Sequence, residues 1–122
     1  MNLTEMGFEE GNKYGAPDEA QVKLCIAWLY DKSGRTTINT NYTSYNWKHS
    51  VEDWAGTYIS NGAFIKACID YGIPIKRING SPNVHVAISS HARNPNYVNK
   101  KLDRHVGCPN WPNCAMEGCG EY

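Results

Sequence analysis

The chain has no net charge, no apolar run long enough to cross a bilayer, and only two phenylalanines among 122 residues. Each of these absences removes a class of protein. Twelve Lys and Arg against twelve Asp and Glu exclude strong unspecific attraction of the whole surface to nucleic acid. Without a stretch of about 20 apolar residues there is no membrane-spanning helix. No G-x-S-x-G, H-E-x-x-H or phosphate-cradling glycine loop occurs, so none of the commoner catalytic signatures is on offer. Internal repeats and low-complexity tracts are likewise missing. The segment Met1–Glu10 is acidic and polar, without the basic start and apolar core of a secretion signal. The expectation is a cytoplasmic protein, in a compartment where thiols stay reduced.

What is present is unevenly spread. Residues 1–72 carry six Lys/Arg against nine Asp/Glu, a balance of −3. Residues 73–105 carry Lys76, Arg77, Arg93, Lys100, Lys101 and Arg104 against Asp103 alone, a balance of +5. This basic stretch is the candidate surface for a partner protein or a nucleic acid, although a solvated face explains the same count. Aromatic weight lies in eight Tyr and four Trp, the residue types that supply contact area at interfaces. Tyr42, Tyr45, Tyr97, Trp111 and Tyr122 fall outside the helical stripes described below, and packing or turn roles suit them equally.

The C-terminal segment holds His105, Cys108, Cys114 and Cys119 in the spacing H-x2-C-x5-C-x4-C, interleaved with Gly and Pro. Imidazole with three thiolates is a complete tetrahedral set for a structural zinc ion. The segment has too few apolar side chains to fold by burial alone, so a metal or a covalent bond must supply the stabilisation. The spacing matches no named zinc-finger pattern. A disulfide among the three local cysteines leaves one thiol over, and the chain total of five is odd. Zinc is the reading; a disulfide and unpaired thiols remain open, as do water, His91 or a partner-chain ligand in place of His105.

Local signals point to an α+β fold of about three helices and one antiparallel hairpin, in a winged-helix-like order, with an irregular zinc-held tail. Residues 1–16 read as an arm, 17–104 as the α+β core and 105–122 as the Cys/His tail. Pro17-Asp18-Glu19 opens the first helix, and Val22, Cys25, Ile26 and Leu29 recur at helical spacing before Gly34 stops it. A short strand is expected around Thr36–Asn39. Ser44 is the expected N-cap of the second helix, with Val51 and Trp54 inward and Gly56 at its end. Ser60 caps the third, which places Phe64, Ile65, Cys68 and Ile69 on one face before Gly72. Beyond it the period changes to two, and Val84, Val86 and Ile88 point inward after the turn at residues 79–83. Cys25 and Cys68 read as small buried hydrophobes, and His85 as outward-facing.

Three further segments belong together: Ser44-Tyr45 with Lys48-His49 and Glu52, then Tyr58 with Ser60-Asn61-Gly62-Ala63-Phe64-Ile65, then Ser81-Pro82-Asn83. Over about residues 36–89 this pattern, S-Y-x-x-K-H-x-x-E, Y-x-S-N-G-A-F-I and S-P-N, resembles small uncharacterised proteins of phages and other bacterial mobile elements. The resemblance carries no reaction with it. It implies a setting in which small proteins regulate DNA or block host defence.

Three functions are therefore in play. A non-catalytic inhibitor of a host defence or nucleic-acid-processing complex, anti-CRISPR-like, fits the aromatic content, the basic stretch and the resemblance. A winged-helix DNA- or RNA-binding regulator would place the third helix in the major groove and Lys76 and Arg77 on phosphates, with Lys100, Lys101 and Arg104 adding a second contact. An enzyme would have to use His49 with Glu52, or Cys68 with His85. The first is the leading expectation, with no membrane partner.

Overall fold

Capping side chains set the limits of three helices. The computed structural model describes residues 2–11, 14–30, 32 and 37–94. Helix α1, Glu19–Leu29, starts where the Asp18 carboxylate accepts the Gln21 amide at 3.1 Å. It ends at Leu29 with Tyr30 as C-cap, ahead of Gly34, which lies outside the described residues. Helix α2, Ser44–Ala55, is capped by Thr43 rather than Ser44: the Asn46 side-chain oxygen accepts from the Thr43 amide at 2.9 Å. The Ser44 hydroxyl is engaged elsewhere, accepting the Val84 amide at 3.1 Å across the core. Helix α3, Asn61–Tyr71, is capped by Ser60, whose hydroxyl accepts the Ala63 amide at 3.1 Å. Gly56 and Gly72 close α2 and α3 in the left-handed conformation at φ 71° and 89°.

Two small antiparallel hairpins accompany the helices. Strands β3, Ile75–Arg77, and β4, Val84–Val86, pair Ile75 with Val86 and Arg77 with Val84. An isolated antiparallel bridge joins Asn39 to Val86, so Asn39 alone meets β4; of the strand expected around Thr36–Asn39, residues 37 and 38 are not in strand and Thr36 lies outside the described residues. Asn39 is nonetheless 1% exposed, because its amide serves the buried turn fully. It donates to the Ile88 carbonyl and the Ser90 hydroxyl at 2.9 Å each and accepts the Asn41 amide at 3.0 Å.

The other hairpin occupies residues 2–9 of the segment expected as an irregular arm at 1–16. Strands β1, Asn2–Thr4, and β2, Gly7–Glu9, pair Asn2 with Glu9 and Thr4 with Gly7. It docks on the first turn of α3, where the Gly62 amide donates to the Glu5 carbonyl at 2.9 Å. The Asn61 side-chain amide donates to the Met6 carbonyl at 2.9 Å, and the Phe8 amide to the Pro82 carbonyl at 3.0 Å.

The core lies among α1, α2, α3 and β4. Val22, Cys25, Leu29, Val51, Phe64, Ile65, Val84, Val86 and Ile88 are buried there as their spacing implies, with Trp47 and Ile59. Trp28 packs on Trp47 and Phe64 at ring-centre distances of 6.1 and 6.3 Å. Three expected core residues depart from this. Ile26 is half-buried, Trp54 is 53% exposed and Ile69 is 47% exposed. The buried arc of α3 is centred on Phe64, Ala67 and Cys68, which puts Ile69 at its rim. In α2 the stripe is Ser44, Trp47, Lys48 and Val51, and Trp54 falls off its edge. No helix among the described residues is long and apolar enough to cross a membrane.

Candidate functional site

The buried stripe of α2 includes a charge. Lys48 sits at i, i+4 from Ser44 and Glu52, so its side chain is drawn along the core edge and is only 7% exposed. Its ammonium pairs with Glu52 Oε2 at 3.2 Å and lies over the rings of Tyr45 and Tyr58, at 5.0 and 4.8 Å from their centres. Glu52 is the hub. Its Oε2 also accepts the Ile59 amide at 3.1 Å, and its Oε1 meets His49 Nδ1 at 2.8 Å. Burial on its own raises the Glu52 carboxyl, but the Ile59 amide, Lys48 and His49 outweigh it and hold the group below the usual carboxylate range. Tyr45 closes the cluster edge-on to the His49 ring at 4.8 Å.

Above this network is a cavity of about 520 Å³, lined by Glu5, Met6, Tyr45, Lys48, Tyr58, Asn61, Pro82 and Asn83. The three segments singled out by their sequence pattern thus meet in one place, with the β1–β2 turn as a fourth wall. Asn61 is 6% exposed and bonds through its nitrogen to the Met6 carbonyl and to Asn83 Oδ1, each at 2.9 Å. No family model, curated protein or solved structure matches this chain. The chemistry of the site has to be read from its own geometry.

Lys76 and Arg77 stand on β3, Lys76 exposed opposite His85, and Arg77 stacked on Phe8 at 4.7 Å from the ring centre. Arg77 lines a second cavity of about 450 Å³ with Phe8, Tyr14, Met6 and Pro82 among others. Arg93 is not with them. It follows β4 in the short 3-10 helix Ser90–Arg93 and clamps that segment to α2, donating to the Asn46 carbonyl at 2.6 Å and the Ser50 hydroxyl at 3.0 Å. Lys100, Lys101 and Arg104 lie outside the described residues, as do His105, Cys108, Cys114 and Cys119. Among the described residues no cluster of three His, Cys, Asp or Glu is arranged to hold a metal.

The catalytic candidates separate. His49 and Glu52 do meet, Nδ1 to Oε1 at 2.8 Å, with the His49 ring partly exposed. Cys68 and His85 do not: Cys68 is fully buried, while His85 points off β4 and bonds the Tyr42 carbonyl through Nδ1 at 2.8 Å. Burial pushes the Cys25 thiol up to about 12 and raises Cys68 as well, with Cys25 adding to the latter, so neither is a ready thiolate nucleophile. The sequence assigns no role to Met6, and none to Tyr58, Asn61 and Asn83 beyond their place in the pattern. The S-N-G and S-P-N motifs were the available signal.

Proposed function

We propose that this protein is a non-catalytic binding protein of a phage or other mobile element, blocking a host defence or nucleic-acid-processing complex through the groove over Lys48. One observation carries the reading. Of the five exposed large hydrophobic side chains among the described residues, Met6, Tyr45 and Tyr58 line the same concavity, at 44%, 49% and 61% exposure. Aromatic and Met side chains gathered around one desolvated charge have the composition of an interface centre. The resemblance to mobile-element proteins supplies the setting. Replacing Tyr45 and Tyr58 together by Ala should abolish capture of a protein partner from nuclease-treated bacterial lysate while leaving the helical circular dichroism in place, with a lower melting temperature from loss of the two rings over Lys48. Capture undiminished by the double substitution would discard this surface. Complete inhibition far below one inhibitor per target would return the enzyme reading, with His49 and Glu52 as its first candidates.

The winged-helix reading has one observation in its favour, the single-residue bridge between Asn39 and Val86, which lies at the place in the order where such domains carry a third strand. Against it, the first turn of α3 is covered by β1–β2, and the outward Lys66 is paired with Asp70 at 2.7 Å. A reading helix presents that turn to base edges. Direct binding to duplex DNA that weakens steeply between low and moderate salt would favour this alternative.

A further inference from the structure

Two Asn-Gly pairs occur in the chain, Asn61-Gly62 and Asn79-Gly80. Such a pair is open to a reaction within the chain itself. The glycine amide nitrogen, having lost its proton, attacks the asparagine Cγ; the Cγ–Nδ2 bond breaks, Nδ2 leaves as ammonia, and a five-membered succinimide closes. Water then opens the ring at either carbonyl. One product is aspartate, the other isoaspartate, in which the main chain runs through the side chain. Ammonia departs and water enters, with nothing oxidised or reduced. Glycine favours the attack because it has no Cβ to obstruct it and adopts backbone angles closed to other residues.

The fold treats the two pairs in opposite ways. Asn61 is 6% exposed, and its Nδ2 is held by the Met6 carbonyl and Asn83 Oδ1 at 2.9 Å each. The Gly62 amide donates to the Glu5 carbonyl at 2.9 Å. Leaving group and nucleophile are both engaged, so reaction there must wait for local opening. Asn79 and Gly80 are exposed, in a turn closed by the Ser81 amide on the Ile78 carbonyl at 3.1 Å. Gly80 stands at φ 75° with open space around its Cα. Among the described residues neither the Asn79 side chain nor the Gly80 amide has a hydrogen bond. We infer that Asn79 is a self-modification site, converted to aspartate and isoaspartate by the Gly80 amide, while the docked β1–β2 hairpin protects Asn61. Gly80, Ser81 and Pro82 line the cavity of about 450 Å³ with Arg77. Conversion adds a carboxylate beside that wall and, in isoaspartate, a methylene to the backbone of the turn. None of this depends on the binding reading of the larger groove.

The test incubates the full chain at mildly basic pH and physiological temperature, beside a synthetic peptide of residues 75–83. Both are digested at mildly acidic pH, which halts the reaction, and mapped by mass spectrometry. Isoaspartate is scored by methyl transfer from S-adenosylmethionine with an isoaspartate-specific methyltransferase. Asn79 should convert at nearly the rate of the peptide, with isoaspartate among its products. Three hydrogen bonds must open first at the other pair, so Asn61 should lag by about 10-fold or more. In denaturant Asn61 should gain most of that difference. Asn79 left intact after the peptide has converted, aspartate as its sole product, or equal rates at the two positions in the folded chain would overturn the inference. A rate at Asn61 that denaturant leaves unchanged would remove the protection by the hairpin.

Discussion

An ideal Cβ placed on Gly62 would collide with the Thr4 carbonyl, and one on Gly7 with the Pro82 carbonyl and the Asn61 amide. Backbone meets backbone at both points, so neither neighbour has a flexible end to withdraw. Helix preference favours Ala over Gly at position 62 by about 1 kcal/mol, but lifting β1–β2 from α3 costs more. Gly62→Ala should therefore lose about 1–3 kcal/mol net in denaturant unfolding, the range of an overpacked site. Phe64 is a separate case, fully buried against Trp28. Phe64→Ala should cost about 3–5 kcal/mol, and a loss below half of that would mean the helices close over the hole. Phe64 was legible from its place in a helical stripe. The need for Gly62 was not, because the atom it makes room for is 58 positions away in the chain.

Among the elements, α2 couples stability to acidity through Glu52. Its carboxyl is lower in the folded chain than in the unfolded one, where an ordinary Glu titrates near about 4.3. The folded state is thus favoured above that value, and the contribution is lost as pH falls through the lowered folded value. Melting temperature should drop on acidification below about pH 4.3, and Glu52→Gln should flatten that part of the profile while lowering stability at neutral pH. The ends of α2 and α3 were readable because caps are local: Ser60, Gly56 and Gly72 act on amides and carbonyls within a turn. The cap of α2 shifted by one residue because Ser44 is claimed by Val84, forty positions on. Hairpin β1–β2 escaped notice altogether, as strands of three residues leave no period to detect.

Taken together, the α+β class and most of the core were legible, since burial follows the apolar spacing of each helix. The groove was not, because it is assembled from four segments whose residues read individually as polar surface or turn. The Cys/His segment at 105–122 lies outside the described residues, and zinc there is a proposal. With His105, Cys108, Cys114 and Cys119 as the proposed ligands, protein from a reducing cytosol should carry about one zinc per chain, and a chelator should lower its melting temperature. Cys114→Ser should release the metal and leave the helical circular dichroism of the core in place. A mass lower by two protons in protein without zinc would establish a disulfide instead.

The docking of β1–β2 also bears on synthesis. The hairpin leaves the ribosome before its seat, which is built from Asn61, Gly62 and Pro82, so it has nowhere to settle until these emerge. Its attachment closes loops of more than fifty residues, an entropic debt met only when α3 and the β3–β4 turn are formed. The nascent chain therefore presents Leu3 and Phe8, which pack against the core once the hairpin docks, unprotected until late, and a chaperone or a protease would find it there.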